Sequence, residues 1–214
     1  MIAAGFLPHP PLLLGEYASL ADPAADLRDR CRTVARELVA LAPDGLVVLT
    51  GVPRVPPVID SRPPLGLRVA RELLAGLGPG VDVAVVDTLT VPFDADADEI
   101  RDCAMHLRET GAGARGVLVM GDGSARRSEK APGHLDERAF AVDQQVAEAL
   151  ARGVPEELAE LDPELAAELM IAGRAAWQVL AAAAPGRPDR ATAEALDPFG
   201  VLYHVALWSW PGHD

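Results

Sequence analysis

The 214-residue chain has no asparagine, one lysine (Lys130) and two cysteines. Cys31 and Cys103 lie too far apart for a CxxC pair, which excludes a dithiol redox motif and a zinc site of that kind. Each falls on the apolar stripe of a predicted helix and reads as a reduced core residue. Basic residues are also few, 19 Lys and Arg against 32 Asp and Glu, for a formal net charge of −13. Phosphate binding needs a basic surface, so a nucleic-acid partner is not expected and a small molecule or a protein is. No apolar run approaches the ~20 residues of a membrane span, and "MIAAGFL" lacks the cationic start and apolar length of a signal peptide. A cytoplasmic protein without a membrane partner is the expectation.

Half of the chain is hydrophobic, enough for one globular domain over 1–214 with a full core and no disulfide or metal staple. The Arg-, Ala-, Gly- and Pro-heavy background suggests GC-rich coding and says little about function.

Residues 2–7 read as a short strand ending at Pro8. Asp22 and Pro23 open a helix whose apolar residues, Ala24, Leu27, Cys31, Val34, Leu38 and Leu41, recur at intervals of three and four. "GLVVLTG" (45–51) is a continuous apolar run, the mark of a strand covered on both faces. A proline-rich loop over 52–66 leads into a helix at 65–77. Residues 81–87 form a third strand, and Asp96 caps a helix over 96–110. "RGVLVMGDGS" (115–124) is a fourth buried strand running into a glycine-rich turn. Helices follow at 137–151 and 163–184, the latter capped by Asp162 and Pro163, and 199–210 is a closing strand. The alternation predicts a three-layer α/β domain with a mainly parallel sheet flanked by helices. Ligands in such sheets bind beyond the carboxyl ends of the strands, so the loops beginning at Pro8, Gly51, Asp87 and Gly121 matter most.

His9 stands in a stiff Pro-His-Pro-Pro segment that would aim its ring, as a base, a ligand or a packed turn residue. "GDGSARRSEKAPGHLDERAF" (121–140) gathers Asp122, Ser124, Arg126, Arg127, Lys130 and His134, with two glycines that would offer amides to an anion. The plainer reading is a solvated polar loop. Neither a nucleophile elbow nor a Walker motif is present. His204 reads as a hydrogen-bonded core or edge residue, and His106 and His213 as exposed. Trp177 reads as core or pocket lining, and Trp208 and Trp210 as cover for a sheet edge or subunit contact.

In order, "FLPHPPLL", "LVVLTG", "VLVMGDGSARRSEKAPG", "ERAFAVDQQVAEAL", "LDPELAAELMIAGRAAWQVL" and "DPFGVLYHVALW" resemble the subunit-B superfamily of class III extradiol ring-cleavage dioxygenases, which includes Memo-like proteins. The resemblance spans nearly the whole chain. In catalytic members it implies Fe(II) held by two histidines and a glutamate, with another histidine as acid/base. His9 matches the first ligand. The second would stand at Gly51, Val52 or Pro53, the acid/base histidine at Ala125, and the glutamate near Arg174, with Glu168 on another face. A facial triad needs two imidazoles and a carboxylate, so ordinary iron-dependent cleavage is not expected.

Three functions stay open. In the first, no cofactor is used and a small anionic molecule is bound, or acted on without metal. His9, Asp122 and Ser124 then serve as the catalytic or orienting groups, and Arg126, Arg127, Lys130, His134 and Arg174 bind the ligand, since Arg forks suit carboxylate and phosphate. In the second, a metal-dependent oxidoreductase or dioxygenase holds Fe2+ or Zn2+ in a rebuilt site of His9, Asp87 or Asp122, and His134. The third is a non-enzymatic interaction protein with an apolar patch near Trp208 and Trp210 and a collapsed cavity at His9. A homo-oligomer is possible, because an isologous interface leaves no readable mark in sequence.

Overall fold

The computed structural model describes residues 1–17, 22–55, 62–81 and 83–211; the core of the proline-rich loop, 56–61, and His213 lie outside them. Six strands form one sheet: β1 (Ala3–Leu7), β2 (Leu46–Val52), β3 (Val85–Pro92), β4 (Gly116–Met120), β5 (Arg190–Leu196) and β6 (Tyr203–Ser209). Their order is β3-β2-β4-β1-β6-β5. β1 to β4 pair in parallel, and β6 runs antiparallel to both β1 and β5.

Side-chain alternation splits the core into two layers. Ala3, Leu7, Val48, Leu118, Met120, Tyr203 and Leu207 face α1 (Ala25–Leu41) and α2 (Leu65–Ala75). Ala4, Phe6, Leu49, Val119, Ala206 and Trp208 face the other layer. That layer holds α3 (Ala97–Thr110), α4 (Arg138–Arg152), α5 (Pro155–Ala159), α6 (Pro163–Glu168) and α7 (Arg174–Ala183). The three-layer α/β architecture is the expected one. No helix among the described residues is long and apolar enough to cross a membrane.

Local capping chemistry explains the starts of α3 and α6. Asp96 accepts from the amides of Asp98 and Glu99 while Glu99 reaches back to the Asp96 amide, a reciprocal cap. Asp162 caps α6 with Pro163 in its first turn. α1 begins later than expected, at Ala25, with Asp22 held by the Ala24 amide and the Arg28 guanidinium before it.

Four expectations fail. The third strand runs over Val85–Pro92 rather than 81–87, and among the described residues it pairs with β2 alone. β5 was not foreseen and turns the closing strand into a hairpin. The long helix at 163–184 is two helices broken at 169–173, where Met170 takes φ 55°. Finally, Cys31 is fully buried but Cys103 only partly so, although both are free thiols.

Candidate functional site

The parallel strands end together. Leu7 and Thr50 both pair with Met120, so the segments after β1, β2 and β4 share one rim. His9 and Asp122 meet there as expected. The His9 backbone amide donates to Asp122 Oδ1 at 2.7 Å. The His9 ring Nδ1 lies 3.6 Å from the same oxygen, buried and without a hydrogen bond. Burial, and then the Asp122 charge, push the Cys31 thiol up to about 12 and raise the Tyr203 phenol well above its ordinary value.

The glycine-rich turn has a different task from the one expected. Gly121 N donates to Leu7 O, Gly123 N to Leu202 O and Ser124 N to Asp143 Oδ1, so these amides are not offered to an anion. The small side of each glycine permits close approach: a β-carbon at Gly121 would lie 2.5 Å from Gly173 Cα. The turn docks on the break between α6 and α7 and satisfies the backbone groups freed there. Ser124 Oγ donates to Leu169 O at 2.7 Å, Arg126 donates to Glu168 O at 2.9 Å, and Gly173 N donates to Asp122 O at 2.9 Å. Ser124 is fully buried. Its reading as a catalytic hydroxyl, and that of Arg126 as a ligand-binding fork, give way to this docking role.

Arg127 is likewise committed. It donates to Asp197 Oδ2 at 2.7 Å and to Asp143 Oδ2 at 3.0 Å, and lies 4.6 Å from the centroid of the Phe140 ring. Burial raises the Asp143 carboxyl above its usual range, and the Ser124 amide and Arg127 oppose that rise. Arg127 is thus the counter-charge of a buried carboxylate rather than a ligand group. Lys130 and His134 are exposed, and the His134 ring Nδ1 donates to Glu129 O at 3.1 Å. They stand exposed on the loop surface.

The rebuilt metal site is not assembled. Asp87 is the third residue of β3 and pairs with Val47, roughly 10 Å along the strands from the Thr50 level. Its carboxylate instead lies 3.5 Å from the exposed His106. Among the described residues no three His, Cys, Asp or Glu side chains gather to hold a metal ion. The positions that the resemblance would assign to the second histidine and the glutamate do not fit a metal either. A β-carbon at Gly51 would come 2.5 Å from the Phe93 ring and 3.1 Å from Ala172 O, so a side chain there would require Phe93 to move. At the third position stands a guanidinium, which repels a cation.

That residue, Arg174, defines the other feature of this end of the sheet. It is 3% exposed. Its guanidinium donates to Ala95 O at 2.8 Å, to Gln178 Oε1 at 3.0 Å and to Phe93 O at 2.6 Å, all neutral acceptors. Burial lowers its pKa, and the nearby Asp94 charge partly offsets this. Asp94 itself is solvated and held by Arg54 at 3.1 Å. Arg174 and Asp94 line a pocket of about 340 Å³ walled otherwise by Phe93, Ala166, Ala167, Met170 and Ile171. The pocket belongs to the β3 side of the sheet. The pocket lining includes Arg174 but not His9, so the single shared ligand expected for the two is not seen in this pocket. Phe93 and Met170 were missed; the left-handed Met170 and the 36% exposure of Phe93 have no signature in sequence.

The aromatic expectations also change. Trp208 and Trp210 are buried, their indoles donating to Leu150 O at 2.8 Å and Gly186 O at 2.9 Å, so they form no surface patch. Trp177 is core and meets His204 edge-on at 5.6 Å. His204 is core as expected, but neither ring nitrogen has a hydrogen bond.

No family model and no curated protein matches this chain.

Proposed function

We propose that the chain is a cytoplasmic, metal-independent relative of the class III extradiol subunit-B superfamily that binds a small carboxylate with an apolar body. The Arg174 pocket is the binding site. One observation carries this reading: a guanidinium almost wholly removed from water, bonded only to neutral oxygens, lines an apolar-walled pocket. A buried charge is costly, the solvated Asp94 offsets only part of that cost, and an anion entering the pocket would offset more of it. The volume stands near the lower end of the roughly 300 to 1,000 Å³ that hold small organic ligands. Asp94, in the pocket wall and only partly matched by the exposed Arg54, disfavours a second negative charge on the ligand. His9 and Asp122 join the neighbouring loops and connect to the pocket through Gly173, whose amide the Asp122 carbonyl accepts.

The test is a thermal-shift panel in chelator-containing buffer, setting benzoate and hexanoate against benzamide and hexanamide. A stabilising ligand raises the melting temperature by mass action. The reading expects shifts from the acids and none from their neutral amides. Equal shifts from both sets would overturn it.

A further inference from the structure

β5 ends the sheet, and among the described residues no strand pairs with its outer edge. Natural edge strands are usually protected by charged side chains, proline, a bulge, short length or a covering element. β5 carries the charges of Arg190 and Glu194 but no proline, lysine or bulge, and its seven residues, "RATAEAL", pair with β6 in unbroken register. Arg190, Thr192 and Glu194 are exposed on the α1 side, and the small Ala191 and Ala193 occupy the opposite face.

The charges on this edge are self-complementary. Arg190 and Glu194 lie two positions either side of Thr192, so an antiparallel copy centred on Thr192 sets each Arg190 opposite the other copy's Glu194. Residues directly opposite on antiparallel strands are close enough to pair. The α1 side extends the pattern, since Glu194 is bonded by Arg30 and Arg190 lies 3.9 Å from Glu37. Across the junction the charges would then alternate as Arg30, Glu194, Arg190 of the second copy and Glu37 of the second copy. A groove of about 490 Å³ between α1 and β5, lined by Arg30, Thr33, Glu37, Arg190, Thr192 and Glu194, leaves room for these side chains.

We propose that β5 pairs with β5 of a second copy of this chain about a two-fold axis at Thr192, making one continuous sheet. The occupant is a second copy rather than another protein, because the edge's own charge pattern completes itself in that register. The interface lies at the far side of the sheet from the Arg174 pocket and does not depend on ligand binding.

Sedimentation equilibrium over a micromolar concentration series tests this, with far-UV circular dichroism confirming the fold of each variant. Wild type should rise from 22.5 kDa toward twice that mass, with weaker association at high salt. Arg190→Glu and Glu194→Arg alone should each weaken the dimer by roughly tenfold, because each turns two attractive pairs into repulsive ones. The double reversal should restore association. Thr192→Pro, which removes a backbone donor at the edge, should also weaken it. A wild type that stays monomeric throughout, or a dimer indifferent to both single reversals, would overturn the proposal.

Discussion

The hydroxyl of Ser124 donates to the carbonyl of Leu169 at 2.7 Å and accepts from the Arg126 amide at 3.1 Å. A serine in a glycine-rich turn at the carboxyl end of a strand invites a catalytic reading. This one closes the break between α6 and α7. Ser124→Ala should therefore lower stability by about 1 to 3 kcal/mol, the cost of leaving a buried acceptor unpaired. Carboxylate binding at saturation should persist below the lowered melting point. Chemical denaturation and a ligand titration on the same variant check both halves.

Arg127 and Asp143 form a pair in which the carboxylate side chain is only 1% exposed. Truncating the cation strands a buried charge, so Arg127→Met should cost about 3 to 5 kcal/mol at neutral pH. Asp143→Asn in the same chain should recover part of that loss, because the orphaned charge disappears. A double-mutant cycle measured by urea unfolding gives the coupling; additive effects would show that the pair does not act as a unit.

His204 provides a pH dependence with a defined sign. Burial, with Arg127 adding to it, lowers its pKa to about 4, below the ~6.5 of an exposed histidine. The folded state thus holds the neutral ring, and the unfolded chain binds the proton first. Stability is complete above the unfolded value and falls as pH drops from about 6.5 to about 4, by on the order of 3 kcal/mol. His204→Leu should flatten that part of the profile and be more stable than wild type near pH 4.5, read from melting curves across the range. An unchanged acid limb in the variant would assign the effect to other groups.

The donor set argues against iron chemistry, since Phe93 covers the Gly51 position and Arg174 occupies the third. Protein reconstituted anaerobically with Fe(II) and given catechols should produce no yellow ring-opened product. Iron-dependent appearance of that colour would contradict the donor argument.

Much of the fold was legible because local rules and tertiary structure agree. Asp96 with Glu99, and Asp162 with Pro163, mark their helices as capping chemistry requires. β5 was hidden because alanine, arginine and glutamate carry little strand preference; its pairing with β6 imposes the conformation. The break near Met170 was hidden because Leu169, Ile171 and Ala175 continue an apolar pattern across it, and the groups that stabilise it come from the distant 121–126 turn. The site was legible only in part. His9 and Asp122 meet as expected, but the charged loop residues looked free because their partners, Asp143 and Asp197, lie elsewhere in sequence. Arg174 stood out as an oddity at a metal-ligand position, and its apolar pocket could not be read from the chain.

The most direct test is isothermal titration of metal-free protein with benzoate, comparing wild type, Arg174→Met and Ala167→Trp. Ala167 is exposed on α6 and lines the pocket, so the tryptophan should fill the cavity without disturbing the core. A hydrogen bond to a charged group is worth about 1.5 to 3 kcal/mol, so Arg174→Met should weaken binding by roughly 10- to 100-fold. Ala167→Trp should abolish it while melting like wild type. Benzoate that fails to bind wild type, or binds the folded Ala167→Trp variant equally well, would contradict the assignment of this pocket as a carboxylate site.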